Sequence, residues 1–445
     1  MKLAYFSPLS PLPSGISDYS EELLPHLARY AQVHIFIDDF QPTNPAIHER
    51  FPVYSYQEYE RRLEEEDYDI AIYQMGNSPY HRYIYPILLR HPGITVLHEP
   101  VLHHLIAGMT LDRGDYIEYL REMAYSAGID GIRRAREVAL SGSHPPFFEY
   151  ALSERVVDAS LGVIVHSQYA QDKVLQSRPR ARVGIVPMGI PRQASSNKEE
   201  ARATLGLDPE DFLVASFGQV SPHKRLPTAI KAFARLRALH SASRYFIVGN
   251  VVPEVDVIAL LKEAGIEDAA TVTGFVDKDT LDLYMSAVDV CVNLRYPTAG
   301  ETSAAILRAM AAGLPTIVSD VGAVSEIPDD CCVKVGVDDM EEDAVFRALV
   351  KLAEQPDIRR AVGESARSYT NRQHTMERSA YRYIAFIHQV LASPTIPVQH
   401  QLQQVGDLDA LSLLAHEMST LGVEKRDAGV IRSIGRSVAG LGADS

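Results

Sequence analysis

The chain has 445 residues, 46% of them hydrophobic, enough for two or three domains with full cores. Its 43 Lys and Arg against 58 Asp and Glu leave a net charge of −15, which argues against a general nucleic-acid binder and for a small anionic ligand held by local basic groups. The three cysteines, Cys291, Cys331 and Cys332, are too few and too closely spaced for a disulfide framework or a cysteine zinc site, and read as buried thiols in a reducing cytosol. A strand begins near Lys2 without the basic and apolar tracts of a signal peptide, and no apolar run nears the ~20 residues of a membrane span, so a soluble cytoplasmic protein is expected.

In chain order, apolar strand-like runs alternate with amphipathic helical stretches, the pattern of a parallel sheet covered by helices, and the pattern occurs twice. The first series of predicted strands covers 3–6, 33–37, 70–73, 95–98, 162–166 and 183–186. A polar, helix-favouring stretch over 195–203 precedes the second, at 212–217, 244–248, 270–273, 288–293, 316–319 and 332–335. The expected fold is α/β, with two doubly wound parallel sheets facing a central cleft. Such sheets bind ligands outside the carboxyl ends of their strands, so the ligand is expected between the two halves.

Four loops qualify for that cleft. After the first strand, Pro11-Leu12-Pro13-Ser14-Gly15-Ile16-Ser17 leads into a helix predicted over 19–29, where amides beside Gly15 can face an anion; a plain turn explains the same residues as well. His98 ends a strand in Thr95-Val96-Leu97-His98-Glu99-Pro100, a place suited to a ligand, although a satisfied core histidine is the commoner case. His103 and His104 follow at no defensible metal-ligand spacing. In the second half, a turn at Gly218 brings Lys224 and Arg225 to the start of a helix predicted over 226–239. Two cations there oppose the helix dipole unless an anion compensates them, which argues for a diphosphate over a solvated surface pair.

The fourth loop is Gly300-Glu301-Thr302-Ser303, between a strand and a helix predicted over 303–312. Thr302 or Ser303 can cap that helix, whose first N–H groups meet a phosphate or sugar oxygen, while Glu301 either stands at the lip of the site or merely complements the dipole. Two anion-friendly loops in one half point to one ligand, a nucleotide. Past residue 390, a linker over 392–397 precedes apolar residues at helical spacing over 402–421, read as a docking or oligomerisation helix. Arg133, Arg134, Arg136, Arg178, Arg180 and Arg182 read as solvated helix faces.

Taken together, the Gly15 loop, His98, Val165-His166-Ser167, Val186-Pro187-Met188-Gly189-Ile190, the Phe217 to Lys224 loop, Thr273-Gly274-Phe275-Val276 and Ala309-Met310-Ala311-Ala312-Gly313-Leu314-Pro315 make most of residues 1–390 resemble the GT-B retaining glycosyltransferases of the family 4 group. Those enzymes move a sugar from a nucleotide-diphosphate donor to an acceptor hydroxyl. The resemblance implies a Rossmann-like acceptor-side domain over 1–190, a Rossmann-like nucleotide-sugar domain over 191–375, a helix over 376–392 returning to the first domain, and a linker and helical tail over 393–445. It also implies that Lys224 binds the diphosphate with help from the Gly15 amides, that residues near Val276 contact the base, and that His98 lies beside the transferred sugar. Gly218, Arg225, Gly300, Glu301, Thr302, Ser303 and Glu326 complete the expected nucleotide-sugar site.

Two departures from the family pattern stand out. Gln219 occupies the place of an Arg found in many relatives five residues before the lysine, while Arg225 follows it directly. The family's two glutamates fall on Gly300 and Arg308, so Glu301 is offset by one, as in a subgroup with a Gly-Glu-Thr-Ser motif, and Arg308 is expected to face phosphate or an acid such as Glu326.

As the sugar–phosphate bond breaks, negative charge collects on the diphosphate and positive charge on the ring. Lys224 and Arg225 suit the first charge and Glu301 the second, with His98 as the third expected catalytic residue. No metal or cofactor is expected beyond the nucleotide-sugar co-substrate, because side-chain cations can replace a divalent ion. Retention of configuration, hexosyl transfer, a glycan, lipid-linked or other hydroxyl acceptor, a role in surface polysaccharide or glycoconjugate synthesis and peripheral membrane contact are further implications of the resemblance. Three other readings fit the same residues: a sugar-nucleotide 2-epimerase, a glycoside hydrolase using Glu301 and Glu326, and a non-catalytic nucleotide-sugar scaffold.

Overall fold

The computed structural model describes residues 1–192 and 197–393. The expected tail helix therefore lies outside the described residues.

Strands β1 (Lys2–Phe6), β2 (Gln32–Ile37), β3 (Val53–Ser55), β4 (Ile70–Met75), β5 (Ile94–Leu97), β6 (Gly162–Val165) and β7 (Val183–Ile185) form a seven-stranded sheet in the order β3-β2-β1-β4-β5-β6-β7. A second sheet of six strands contains β8 (Phe212–Phe217), β9 (Ser243–Val248), β10 (Ala270–Gly274), β11 (Val290–Asn293), β12 (Thr316–Ser319) and β13 (Val333–Val335), in the order β10-β9-β8-β11-β12-β13. Neighbouring strands run parallel in both sheets. Parallel strands are covered by helices on both faces, which is why they read as unbroken apolar runs: Leu3, Ala4, Tyr5 and Phe6 are all 0% exposed. The expected doubly wound architecture is thus borne out. β3 escaped the sequence reading because it is a three-residue edge strand with half-buried side chains and no apolar run.

Strand order reverses between β1 and β4 in the first sheet and between β8 and β11 in the second. The loops after these strands flank the crevices where such folds take ligands. The first helix spans Gly15–Leu27, starting earlier than predicted because the Ser14 hydroxyl accepts the Ile16 N–H at 3.2 Å.

Helix Met376–Ala392 packs on the first sheet. A side chain at Gly184 would lie 2.5 Å from the Phe386 ring, and the Tyr383 hydroxyl meets that of Tyr19 at 3.1 Å. Charged contacts also join the two halves: Arg308 Nη2 donates to both carboxylate oxygens of Glu22, at 2.6 and 2.7 Å, and Lys278 reaches the same group at 3.0 Å. Arg308 thus packs with an acid, as one of its two expected roles had it, but the acid is Glu22 and not Glu326. Among the described residues no helix is long and apolar enough to cross a membrane.

Candidate active site between the two sheets

Lys224 stands beyond the end of β8. Gly218 turns the chain there with φ 99°, a conformation that favours glycine, and a short turn over Pro222–Lys224 leads into helix Leu226–Leu239. Among the described residues no carboxylate is paired with the Lys224 ammonium. Burial, then repulsion from Arg295, push its pKa down to about 7 against the attraction of Glu301. Arg225 behaves differently from expectation. Its backbone is left-handed, at φ 50°, and its guanidinium is ion-paired with Glu341, a carboxylate with 2% side-chain exposure. The expected cation pair awaiting an anion therefore reduces to Lys224, because Arg225 has found its counterion inside the second half.

The second cation of the site is one that sequence reasoning missed. Arg295 has a side chain only 2% exposed and is among the largest fully buried groups in the molecule. Its backbone N–H donates to Ser319 Oγ at 3.0 Å and its guanidinium is ion-paired with Glu301, whose other oxygen accepts from Thr298 Oγ1 at 3.0 Å. Among the described residues its Nε has no hydrogen-bond partner. The signal available in the sequence was an arginine placed directly after the buried run Val290-Cys291-Val292-Asn293-Leu294, where a charge is tolerated only with a partner. Burial alone would raise the Glu301 carboxyl, but Arg295 first and Lys224 among the rest outweigh it, so Glu301 stays below the usual carboxylate range.

Around Glu301 the chain is tightly drawn. Gly300 has φ 85°, and a side chain there would lie 2.6 Å from the Pro100 ring and 3.0 Å from that of Tyr169, so this loop rests directly on the first half. Ser303 caps helix Ala304–Ala311 by accepting the Ile306 N–H at 3.4 Å, and Thr302 lines a cavity of about 240 Å³ with Ser303 and Glu326. Glu326 itself accepts the backbone N–H groups of Gln168 and Tyr169, at 3.0 and 2.5 Å. Its carboxylate caps helix Gln168–Ser177 and is committed there, which corrects its expected place beside the nucleotide sugar and removes the Glu301–Glu326 pair that a hydrolase would need. Val276 is half-buried against the second core, next to a Phe275 ring 71% exposed.

From the first half, Gly15 is exposed and open: a Cβ there would touch nothing within 4 Å. His98 is 6% exposed at the end of β5. Its Nε2 lies 2.7 Å from Gln74 Oε1, its Nδ1 3.2 Å from His166 Nε2, and His166 Nδ1 2.8 Å from the Val186 carbonyl. A carbonyl only accepts, so His166 carries its proton on Nδ1, His98 donates from Nδ1, and His98 Nε2 is left as an acceptor. The Gln74 amide must then be turned to donate to it, which also satisfies an amide nitrogen otherwise without a partner. Burial, then His166 and His81, hold His98 neutral. Both of its ring nitrogens are hydrogen-bonded within this relay, so the histidine frames the site.

Next to it, Glu99 accepts the Asn77 N–H at 2.9 Å, and burial followed by the charge of Glu301 raises its carboxyl to about 8. Beside this cluster a cavity of about 380 Å³ opens, lined among others by Pro100, Phe148, Tyr150, Tyr169, Lys173 and Thr298.

Residues 197–369 match the family model described as Glycosyl transferases group 1. The chain is 24% identical over 172 residues to an alpha-D-kanosaminyltransferase of Streptomyces kanamyceticus, covering 38% of this chain and 44% of that one. It is 25% identical over 199 residues to a D-inositol 3-phosphate glycosyltransferase of Segniliparus rotundus, covering 43% of each. The chain thus spans under half the length of these curated relatives. Among solved structures, sucrose-phosphate synthase from Thermosynechococcus elongatus matches with a TM-score of 0.65 at 17% identity, over 88% of this chain and all of that one. HepE of Anabaena, solved with UDP and glucose, matches with a TM-score of 0.61 at 16% identity over 87% of this chain and 100% of that one. The chain has the GT-B fold, and its second half carries the match to the group 1 glycosyltransferases.

Proposed function

We propose that the chain is a glycosyltransferase that moves a hexosyl group, with retention, from a nucleoside-diphosphate sugar to an acceptor hydroxyl. The observation that carries this reading is the Lys224 ammonium. Among the described residues it has no carboxylate ion pair; it stands beyond β8 of the second sheet, within the influence of an ionised Glu301 held by Arg295. A cation depressed by burial and by a like charge gains most from an incoming diphosphate, which neutralises it. The match to Glycosyl transferases group 1 spans Lys224, Arg295 and Glu301 and supports the same reading.

In the proposed reaction the bond between the anomeric carbon and the diphosphate oxygen breaks as the acceptor oxygen bonds to the same face of that carbon. The acceptor's proton passes to the departing diphosphate. Lys224, with the unspent Nε of Arg295 behind it, meets the charge that develops on the diphosphate, a term whose removal typically costs ~3 kcal/mol of transition-state stabilisation. Glu301, fixed by Arg295 and Thr298, holds sugar hydroxyls. The acceptor enters the cavity bounded by Pro100, Tyr169 and Thr298, the last of which donates to Glu301. A glycan or lipid-linked acceptor and a role in surface polysaccharide or glycoconjugate synthesis extend the proposal. Transfer from a panel of nucleotide sugars, measured on the wild type and on Lys224→Ala, tests it: loss of both nucleotide affinity and turnover is expected, and unchanged values for both overturn it.

A further inference from the structure

We propose that Glu99 is a substrate-binding residue of this site, its free carboxyl oxygen taking a hydroxyl of the transferred sugar from the first half of the chain, opposite Glu301. The inference rests on the glycosyltransferase reading above.

The placement of Glu99 is built rather than incidental. Its Oε1 accepts the Asn77 N–H at 2.9 Å, and Asn77 is itself fixed, its Oδ1 accepting the Leu105 N–H at 2.9 Å and its Nδ2 lying 3.0 Å from His104 Nδ1. Among the described residues Oε2 has no hydrogen bond or ion pair. The adjoining Pro100 ring fills the space at Gly300, so the Glu99 loop is pressed onto the Glu301 loop.

The charges around it decide its protonation. Glu301 and Arg295 face it from the second half, with His223 and Lys224 beyond them, and Asn77 and His104 flank it in the first. The ion pair of Arg295 is with Glu301, and among the described residues Glu99 has no ion pair of its own. A half-buried carboxyl facing another carboxylate keeps its proton near neutral pH, in line with its raised pKa of about 8. The site then offers one ionised carboxylate, which only accepts, and one carboxylic acid, which also donates. A sugar diol, whose hydroxyls do both, is complementary to that pair, whereas the diphosphate lies at Lys224 and makes no use of Glu99.

The test compares the wild type with Glu99→Ala and Glu99→Gln in two readouts. In the first, melting temperature is followed with UDP, GDP, ADP and dTDP, and with their glucose, galactose, mannose and N-acetylglucosamine conjugates. A nucleoside diphosphate is expected to raise the wild-type melting point, and its sugar conjugate to raise it further. Glu99→Ala should keep the shift with the diphosphate and lose the sugar increment, while Glu99→Gln, whose amide still donates, should keep most of it. In the second, kcat/KM for cleavage of the same conjugate should fall at least tenfold in Glu99→Ala. The wild-type sugar increment, taken over the diphosphate alone so that Lys224 cancels, should shrink above pH 8, and that of Glu99→Gln should not. A full sugar increment and unchanged kcat/KM in Glu99→Ala overturn the role of Glu99 and leave the glycosyltransferase reading standing. A wild type that no diphosphate stabilises overturns that reading and this inference with it, and one that binds a diphosphate but gains nothing from any sugar overturns the inference alone. Should Glu99→Ala fail to fold, the pH dependence of the sugar increment decides: an increment, taken over the diphosphate alone, that changes with pH identically in Glu99→Gln and the wild type overturns the proposal.

Discussion

His98 and Lys224 occupy similar places, each beyond a central strand of its own sheet, and burial lowers the pKa of both. They differ in what surrounds them. His98 ends a closed relay through Gln74, His166 and the Val186 carbonyl, so nothing in it awaits a ligand. Lys224 ends no such relay, because the carboxylate nearest in effect, Glu301, is already paired with Arg295. The second half of the molecule therefore leaves Lys224 without a carboxylate partner among the described residues, whereas the first half supplies shape and an open glycine turn. A buried histidine and a half-buried lysine thus differ, and the hydrogen-bond inventory separates them.

The largest effect expected concerns the pair behind this difference. Arg295→Met strands Glu301 in the interior and should cost about 3–5 kcal/mol of unfolding free energy, read by chemical denaturation. The double variant Arg295→Met/Glu301→Gln should regain much of that stability without regaining turnover. Next, Lys224→Ala should lower kcat by about 10²–10³-fold, with little loss of stability. His98→Ala should do the reverse: by leaving Gln74 and His166 unsatisfied it should cost about 1–3 kcal/mol of stability and leave nucleotide affinity near wild type. A His98→Ala protein with an unaltered melting point and no turnover would erase the contrast drawn between the two residues.

A smaller effect separates them by pH. With a folded-state pKa of about 7 against an ordinary value of 10.5, Lys224 binds fewer protons folded than unfolded between those two values, so its presence makes stability rise with pH across that window. Lys224→Met should then stabilise the ligand-free protein most below pH 7, by on the order of 1–3 kcal/mol, and the gain should vanish near pH 10.5. Thermal melts from pH 6 to 10 check this. Smallest is Glu326→Gln, expected to cost about 1 kcal/mol through the cap on helix Gln168–Ser177 and to leave kcat near wild type.

Much of the architecture was legible because parallel strands buried on both faces leave continuous apolar runs, and the helix over Leu226–Leu239 matched its prediction to the residue. The short edge strand Val53–Ser55 left no run to find. The site was legible in part. Lys224, Gly300 and Glu301 announced themselves through Gly turns and charges set against helix starts, features local to a few residues. Arg225 and Glu326 misled the local reading, and Arg308 took a different acid from the one named, since their partners Glu341, the amides of Gln168 and Tyr169, and Glu22 are remote in the chain. Arg295 and Glu99 were passed over for the complementary reason: neither belongs to a recognisable local pattern, and each matters only through what the fold brings against it.

By itself, then, the amino-acid order determined the two sheets, the turns at their carboxyl ends and the residue types offered there, because hydrophobic periodicity and backbone permissiveness act over a few residues at a time. Only the tertiary structure decided which of those charges remain free. Ion pairing is settled over a few ångströms between segments far apart in sequence, so the same lysine or histidine can be spent or available according to a neighbour that only the folded chain brings within reach.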